Sequence, residues 1–276
     1  MSKSLSDIKV INLAINLPGP LAVQRLQQWG ARVVKVEPPT GDPLASHNEG
    51  FYDELSAGQD VRRINLKEGS GKKELEILLK DADLLFTSFR KSALKKLGLT
   101  WGKLHSKFKQ LCWVAIFGYP APNEEKAGHD LTYQAEKGLV RPPELPISLF
   151  ADIAGAYDAA MEAMRLLYER KTQAIGSFAK IYLSGSLDVF AKPIQYGLTT
   201  PHSTLGGNSP AYNLYKTKTN WVALAALESH FWENLQELLR VKNPDYEMLQ
   251  SIFLKKSAKE WVKWALENDI PLVMIS

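Results

Sequence analysis

The chain has 276 residues, 45% hydrophobic and 23% charged, with 34 basic and 30 acidic side chains and a formal charge of +4. That balance fits a globular chain long enough for one large domain or two smaller ones; the mild positive excess demands no nucleic acid and suits an anionic ligand. Cys112 is the only cysteine and no segment reaches about eighteen apolar residues in a row, which excludes an intrachain disulfide and predicts a cytoplasmic protein without a membrane partner.

The first half alternates strand and helix signals. "IKVINLA" (8–14) reads as a strand, and "GPLAVQRLQQWG" (19–30) as a helix with Pro20 in its first turn and Gly30 at its end. "ARVVKVE" (31–37) is a second strand, closed by Pro38 and Pro39. A helix over 71–82, a strand over 83–89, helices over 92–99 and 101–108 and a strand over 110–118 follow. The Ala-, Met- and Leu-rich run 153–170 predicts a long helix with a small-residue packing face. Such alternation predicts an α/β fold, a Rossmann-like parallel sheet covered on both faces, over residues 1–190.

Composition then changes. Residues 191–210 are rich in Pro, Gly, Ser and Thr with little periodicity, and read as a linker. Residues 211–276 predict a small α+β domain: a hairpin over 211–227 and two helices, the second opened by the capping pair Ser257 and Glu260. Alone, these elements are expected to expose Trp221, Phe231, Trp232, Trp261 and Trp264 on one apolar face. No G-x-G-x-x-G follows the first strand and no P-loop is present, so a conventional dinucleotide or ATP site is not expected.

Two polar stretches stand out. In "AGHDLTYQAEKGL" (127–139), His129 and Asp130 follow Gly128; in "SLFADIAGAYDAAM" (148–161), Asp152 precedes a small-residue helix. By themselves the residues leave two readings open. His129 reads as a loop histidine, Asp152 as a helix cap and Glu228 as an acid at a helix start. Alternatively, a histidine and a carboxylate of tuned basicity are what proton transfer near neutral pH requires.

The blocks "LPGPLAVQRLQQWGARVVKVEPPTGDPL", "INLKEGSGKKELEILLKDADLLFTSFRKSALKKLGL", "GHDLTYQAEKGL", "LFADIAGAYDAAMEAMRLLYER" and "GGNSPAYNLYKTKTNWVALAALESHFW" occur in an order and spacing that resembles family III CoA-transferases. This CaiB/BaiF family includes α-methylacyl-CoA racemases, and the later blocks resemble racemases most. The resemblance implies that His129, Asp152 and Glu228 are catalytic. Removing the proton beside a thioester carbonyl on one face and returning one on the other would use His129 and Asp152, with Glu228 orienting the imidazole. Backbone N–H groups at the start of the helix after Asp152 are expected to stabilise the enolate oxygen.

The resemblance also implies an acyl-CoA substrate rather than a tightly bound cofactor. Coenzyme A, carried on that thioester, would lie along Ile64, Asn65, Leu66 and Lys67, near Arg90, and over Gly128, Asp130, Leu131, Thr132 and Tyr133. Lys67 and Arg90 would meet its phosphates. The chain departs from the family at 56–59, where Ser-Ala-Gly-Gln replaces Asn-Arg-Gly-Lys; Arg62 and Arg63 are the nearest replacement cations. A homodimer is implied, interlocked or open, since the sequence stops before the family's usual C-terminal return segment. A CoA-transferase acting through an acyl anhydride at Asp152, and a CoA-thioester-binding protein without turnover, are the alternative functions.

Overall fold

Strand β1 (Lys9–Asn12), β2 (Arg32–Glu37), β3 (Asp60–Arg63), β4 (Leu84–Thr87), β5 (Cys112–Phe117) and β6 (Phe178–Tyr182) form one sheet in the order β3-β2-β1-β4-β5-β6. Every adjacent pair is parallel, with Val10 opposite Val33 on one side and Leu84 on the other. The structure, a computed structural model, describes residues 3–275. The chain divides into two compact units, Met1–Ala191 and Lys192–Ser276, and this sheet belongs to the first.

Parallel strands need cover on both faces, and the central ones read as continuous apolar runs. All residues of β4 (LLFT) and β5 (CWVAIF) are buried. Side chains alternate between two cores. Val10, Val33, Phe86, Val114 and Ile116 share one core with the helices Pro18–Gln28 and Phe150–Gln173. Ile11, Val36, Leu85, Trp113 and Ala115 share the other with helix Gly69–Leu79. Alanines at 151, 156, 159, 160 and 163 make the buried face of helix Phe150–Gln173 thin enough for close packing. Gly19 is required where the chain leaves β1, because a Cβ there would stand 2.1 Å from the Cβ of Ala14.

Some elements differ from the sequence expectation. β3 reads Asp-Val-Arg-Arg and is exposed throughout, so an edge strand carries charge where apolar alternation would have signalled it. Helices Pro43–His47 and Glu49–Ser56 follow N-caps at Asp42 and Asn48. The stretch expected as a linker from residue 191 opens inside helix Asp188–Gln195 and contains a short 3-10 turn at Thr204–Gly206.

In the second unit, β7 (Tyr212–Lys216) and β8 (Trp221–Ala225) form the expected hairpin, and β9 (Leu272–Met274) adds a third antiparallel strand beside β8. Three helices, not two, accompany it: Ser229–Leu239, Tyr246–Phe253 and Ala258–Glu267. The capping box is formed, with Ser257 N–H donating to Glu260 Oε2 at 2.8 Å and Glu260 N–H to Ser257 Oγ at 3.3 Å. The additional helix and strand correct the expected apolar face. Trp261 is only 3% exposed, in a core with Tyr215, Leu249 and Phe253, while Phe231, Trp232 and Trp264 pack against that core. Of the five, Trp221 alone is exposed, at 42%. Among the described residues, no helix is long and apolar enough to cross a membrane.

Candidate active site

β1 and β4 are neighbours, yet the chain winds outward from them in opposite directions, to β2 and to β5. At such a switch point the connections leaving the strand ends part and leave a crevice at the carboxyl edge. A cleft of ≈ 460 Å³ lies there, lined by Asn16 and Pro18 after β1, Ser88 and Arg90 after β4, and Phe117 and Gly118 at the end of β5. His129, Tyr133 and Asp152 complete it.

The turn after β1 is held from two sides. Ile15 N–H donates to Ser88 Oγ at 3.2 Å, and Asn16 N–H to Asp42 Oδ1 at 2.9 Å. Asp42 is itself anchored by Lys35 at 2.8 Å, and Lys35 also meets Glu37 at 3.0 Å, with all three side chains buried. Tyr52 donates to Glu37 at 2.8 Å, and burial, reinforced by Glu37, pushes its phenol up to about 12.

His129 and Asp130 do not lie in a loop throughout: His129 is the N-cap of a short helix, Asp130–Glu136. The Thr132 hydroxyl accepts the His129 N–H at 3.0 Å and donates back to His129 O at 2.8 Å. This local exchange holds the backbone of His129 while its side chain stays exposed on the cleft wall. Tyr133 is 3% exposed, wedged beside Gly118 and Gly128. A Cβ at those glycines would come within 2.3 Å of the Tyr133 hydroxyl and 2.6 Å of its ring respectively. Burial pushes the Tyr133 phenol up to about 12, so it remains a donor across the physiological range.

Asp152 stands in the first turn of helix Phe150–Gln173. Burial, and then the charge of Asp130, push its carboxyl from 3.8 up to about 7. Asp130 is 5% exposed and turned inward. Its Oδ1 accepts the N–H groups of Ala151 at 2.7 Å and Asp152 at 3.0 Å, and its Oδ2 accepts from the Gln134 side-chain amide. Asp130 therefore caps the long helix from outside it. The first N–H after Asp152, that of Ile153, donates to Leu149 O at 3.0 Å within the helix, so it does not stand free for the enolate oxygen expected there.

The raised carboxyl carries a testable linkage. A group whose acidity weakens on folding stabilises the fold below its unfolded pKa, here near 3.8, and loses that contribution as pH rises through about 7. Asp152→Asn should remove this slope. At pH 8 the variant should be more stable than the parent by on the order of 2 kcal/mol, allowing for water in an open cleft. Urea unfolding at pH 4 and pH 8 measures the difference, and an equal difference between variant and parent at the two pH values would contradict the raised pKa.

Other candidates are dispersed. Arg90 and Gly128 line the cleft; Ile64, Asn65, Leu66, Lys67, Leu131 and Thr132 do not. Ile64 is 3% exposed in the sheet core, and Leu66 packs against it. Asn65 is engaged locally, donating to Glu68 at 2.6 Å and accepting Lys67 N–H at 3.1 Å. Lys67 is exposed. Arg62 pairs with Asp60 at 2.7 Å. Glu228 lies in the second unit, exposed, as the N-cap of helix Ser229–Leu239. His47, Glu124 and Lys126 also line the cleft; no local sequence pattern marks them, because a helix end and a distant loop bring them together.

The sequence pattern described as CoA-transferase family III matches residues 5–275. The chain belongs to CoA-transferase family III. It is 27% identical to (R)-2-hydroxy-4-methylpentanoate CoA-transferase of Clostridioides difficile, over 98% of this chain and 79% of that protein. It is 26% identical to α-methylacyl-CoA racemase of Homo sapiens, over 94% of this chain and 74% of the other. A crystal structure of a CaiB/BaiF family protein from Brucella suis superposes with a TM-score of 0.86 at 20% identity, covering 100% of this chain and 85% of that one. Family III thus joins CoA-transferases and racemases among the relatives of this chain, and its fold is the one described above.

Proposed function

We propose that the protein is an acyl-CoA enzyme that inverts the α-carbon of 2-methylacyl-CoA thioesters by two-base proton transfer. The observation that carries the reading is the pairing, in one cleft, of His129 with a carboxyl, Asp152, raised to about 7. A group that is half protonated near neutral pH serves equally as acid and as base, which inversion in both directions requires. The Tyr133 hydroxyl, protonated and in the same cleft, is the donor best suited to an enolate oxygen. Arg90 supplies a cation toward the CoA phosphates, and Glu228 keeps in this reading the orienting role that the family resemblance gives it. Incubation of a 2-methylacyl-CoA in deuterium oxide should place deuterium at the α-carbon as the epimers interconvert, read by proton NMR.

The second reading is a CoA-transferase with Asp152 as acyl acceptor. The name of the Clostridioides difficile relative favours it. It requires a carboxylic acid acceptor, no α-deuteration, and an Asp152 adduct that hydroxylamine traps. Trapping without deuterium uptake would replace the racemase reading. Both readings carry a homodimer: light scattering at micromolar concentration should return the mass of two chains, and the mass of one would remove it.

A further inference from the structure

A second cavity, of ≈ 260 Å³, shares Phe117 and Glu124 with the cleft and otherwise has its own walls. Those walls are aromatic. Trp101 and Phe178 stack with centroids 5.6 Å and planes 14° apart, Trp113 meets Phe178 at 4.6 Å, and Phe117 meets Tyr182 at 6.1 Å. The indole N–H of Trp113 already donates to Thr87 Oγ1 at 3.0 Å, so that ring offers the cavity only carbon. An engineered apolar cavity of about 150 Å³ takes up benzene. The larger space here has room for a six-membered ring and a short tail.

The lining is not apolar throughout. Lys91 and Lys95 reach it from helix Lys91–Leu97, Lys180 from β6, and Glu124 from the loop after β5. Lys91 holds Glu124 at 3.1 Å. Lys95 and Lys180 form no salt bridge among the described residues, which leaves the cavity with an excess of positive charge. Thr100 also lines it, and its side chain caps no helix N–H. Apolar walls with a few convergent polar groups are the usual makeup of a small-molecule site. Here those groups are a hydroxyl and two ammoniums outside any salt bridge, with Glu124 already paired to Lys91, and the net positive charge selects an anion.

We propose that this cavity binds a small amphipathic carboxylate, an aryl- or branched-alkyl-substituted short-chain acid. Its ring or branched chain lies among Trp101, Phe178 and Tyr182, and its carboxylate meets Lys95, Lys180 and the Thr100 hydroxyl. The inference stands apart from the reaction proposed for the cleft, since none of the residues it uses is assigned a role there.

Calorimetric titration with 3-phenylpropanoate tests it, with 3-phenylpropan-1-ol and propanoate as probes that lack the charge and the ring. The expected result is one saturable site for 3-phenylpropanoate, with both other probes at least about tenfold weaker. The double variant Lys95→Glu/Lys180→Glu alters two exposed side chains and should also weaken binding at least about tenfold. Asp152→Asn should leave it within about twofold. Absence of saturable binding, indifference to the charge reversals, or loss of binding in Asp152→Asn, which would place the probe in the cleft, would each overturn the proposal.

Discussion

His129→Ala and Asp152→Asn should each slow epimerisation of a 2-methylacyl-CoA by about 10²- to 10⁴-fold, the usual contribution of a positioned acid or base. The two losses should differ in kind. Each base serves one face of the α-carbon, so either variant can still exchange a proton with solvent on the face it retains. His129→Ala should show residual deuterium uptake from one epimer with no inversion, and Asp152→Asn the same from the other epimer. Loss in both should fall on kcat more than on KM, because neither group's contribution is needed before the proton moves. In the proposed reading, Glu228→Gln should slow only the direction that uses His129, the base that the family resemblance gives Glu228 to orient. NMR of each pure epimer in deuterium oxide reads all three variants. Equal exchange from both epimers in His129→Ala would refute the two-base assignment. A further consequence is the acid limb of the rate profile: with the Asp152 carboxyl at about 7, the direction needing its anion should fall off below neutrality.

The largest stability loss is expected from Lys35→Ala. Lys35 lies between Glu37 at 3.0 Å and Asp42 at 2.8 Å, and each of these side chains is no more than 1% exposed. Removing the cation leaves two carboxylates buried without a countercharge, a change that typically costs about 3–5 kcal/mol. The penalty belongs to the stranded charges. The triple variant Lys35→Met/Glu37→Gln/Asp42→Asn should therefore recover a substantial part of it. An amide side chain at position 42 keeps an oxygen for the Asn16 and Leu44 N–H groups whose bonds Asp42 now accepts. Urea midpoints of the two variants decide the matter, and a triple variant no more stable than the single one would contradict this account. Since Asn16 lines the cleft and depends on Asp42, Lys35→Ala should also lower activity under conditions where the protein remains folded.

The sequence signals were strongest where one residue type repeats a physical demand. β4 and β5 were legible because a parallel strand covered on both faces must be apolar throughout. Helix Pro18–Gln28 was legible from its proline-bearing first turn. β3 was not, because an edge strand has a solvated side and this one fills its positions with Asp60, Arg62 and Arg63. Helix Asp130–Glu136 was hidden by its length and by a start signal, Thr132 folding back on His129, that does not follow the usual Ser/Thr-first order. Within the site, the chemistry of His129 and Asp152 was readable from residue type and resemblance. The inward turn of Asp130 was not, because its partners are the N–H groups of residues 151 and 152, some twenty positions away.

That inward turn makes the acid strength of the cleft adjustable from a position that takes no part in lining it. Asp130→Asn would keep an oxygen for the two helix N–H groups and delete the charge that helps to hold Asp152 near 7, returning part of the shift. The optimum pH would then move to a more acidic setting with the cleft wall itself unaltered. Glutamate, one methylene longer, would have to displace Gln134 to make the same two bonds, so the tolerated alphabet at residue 130 is short. In a lineage exploring a new working pH, residue 130 would be expected to change while Asp152 itself is kept.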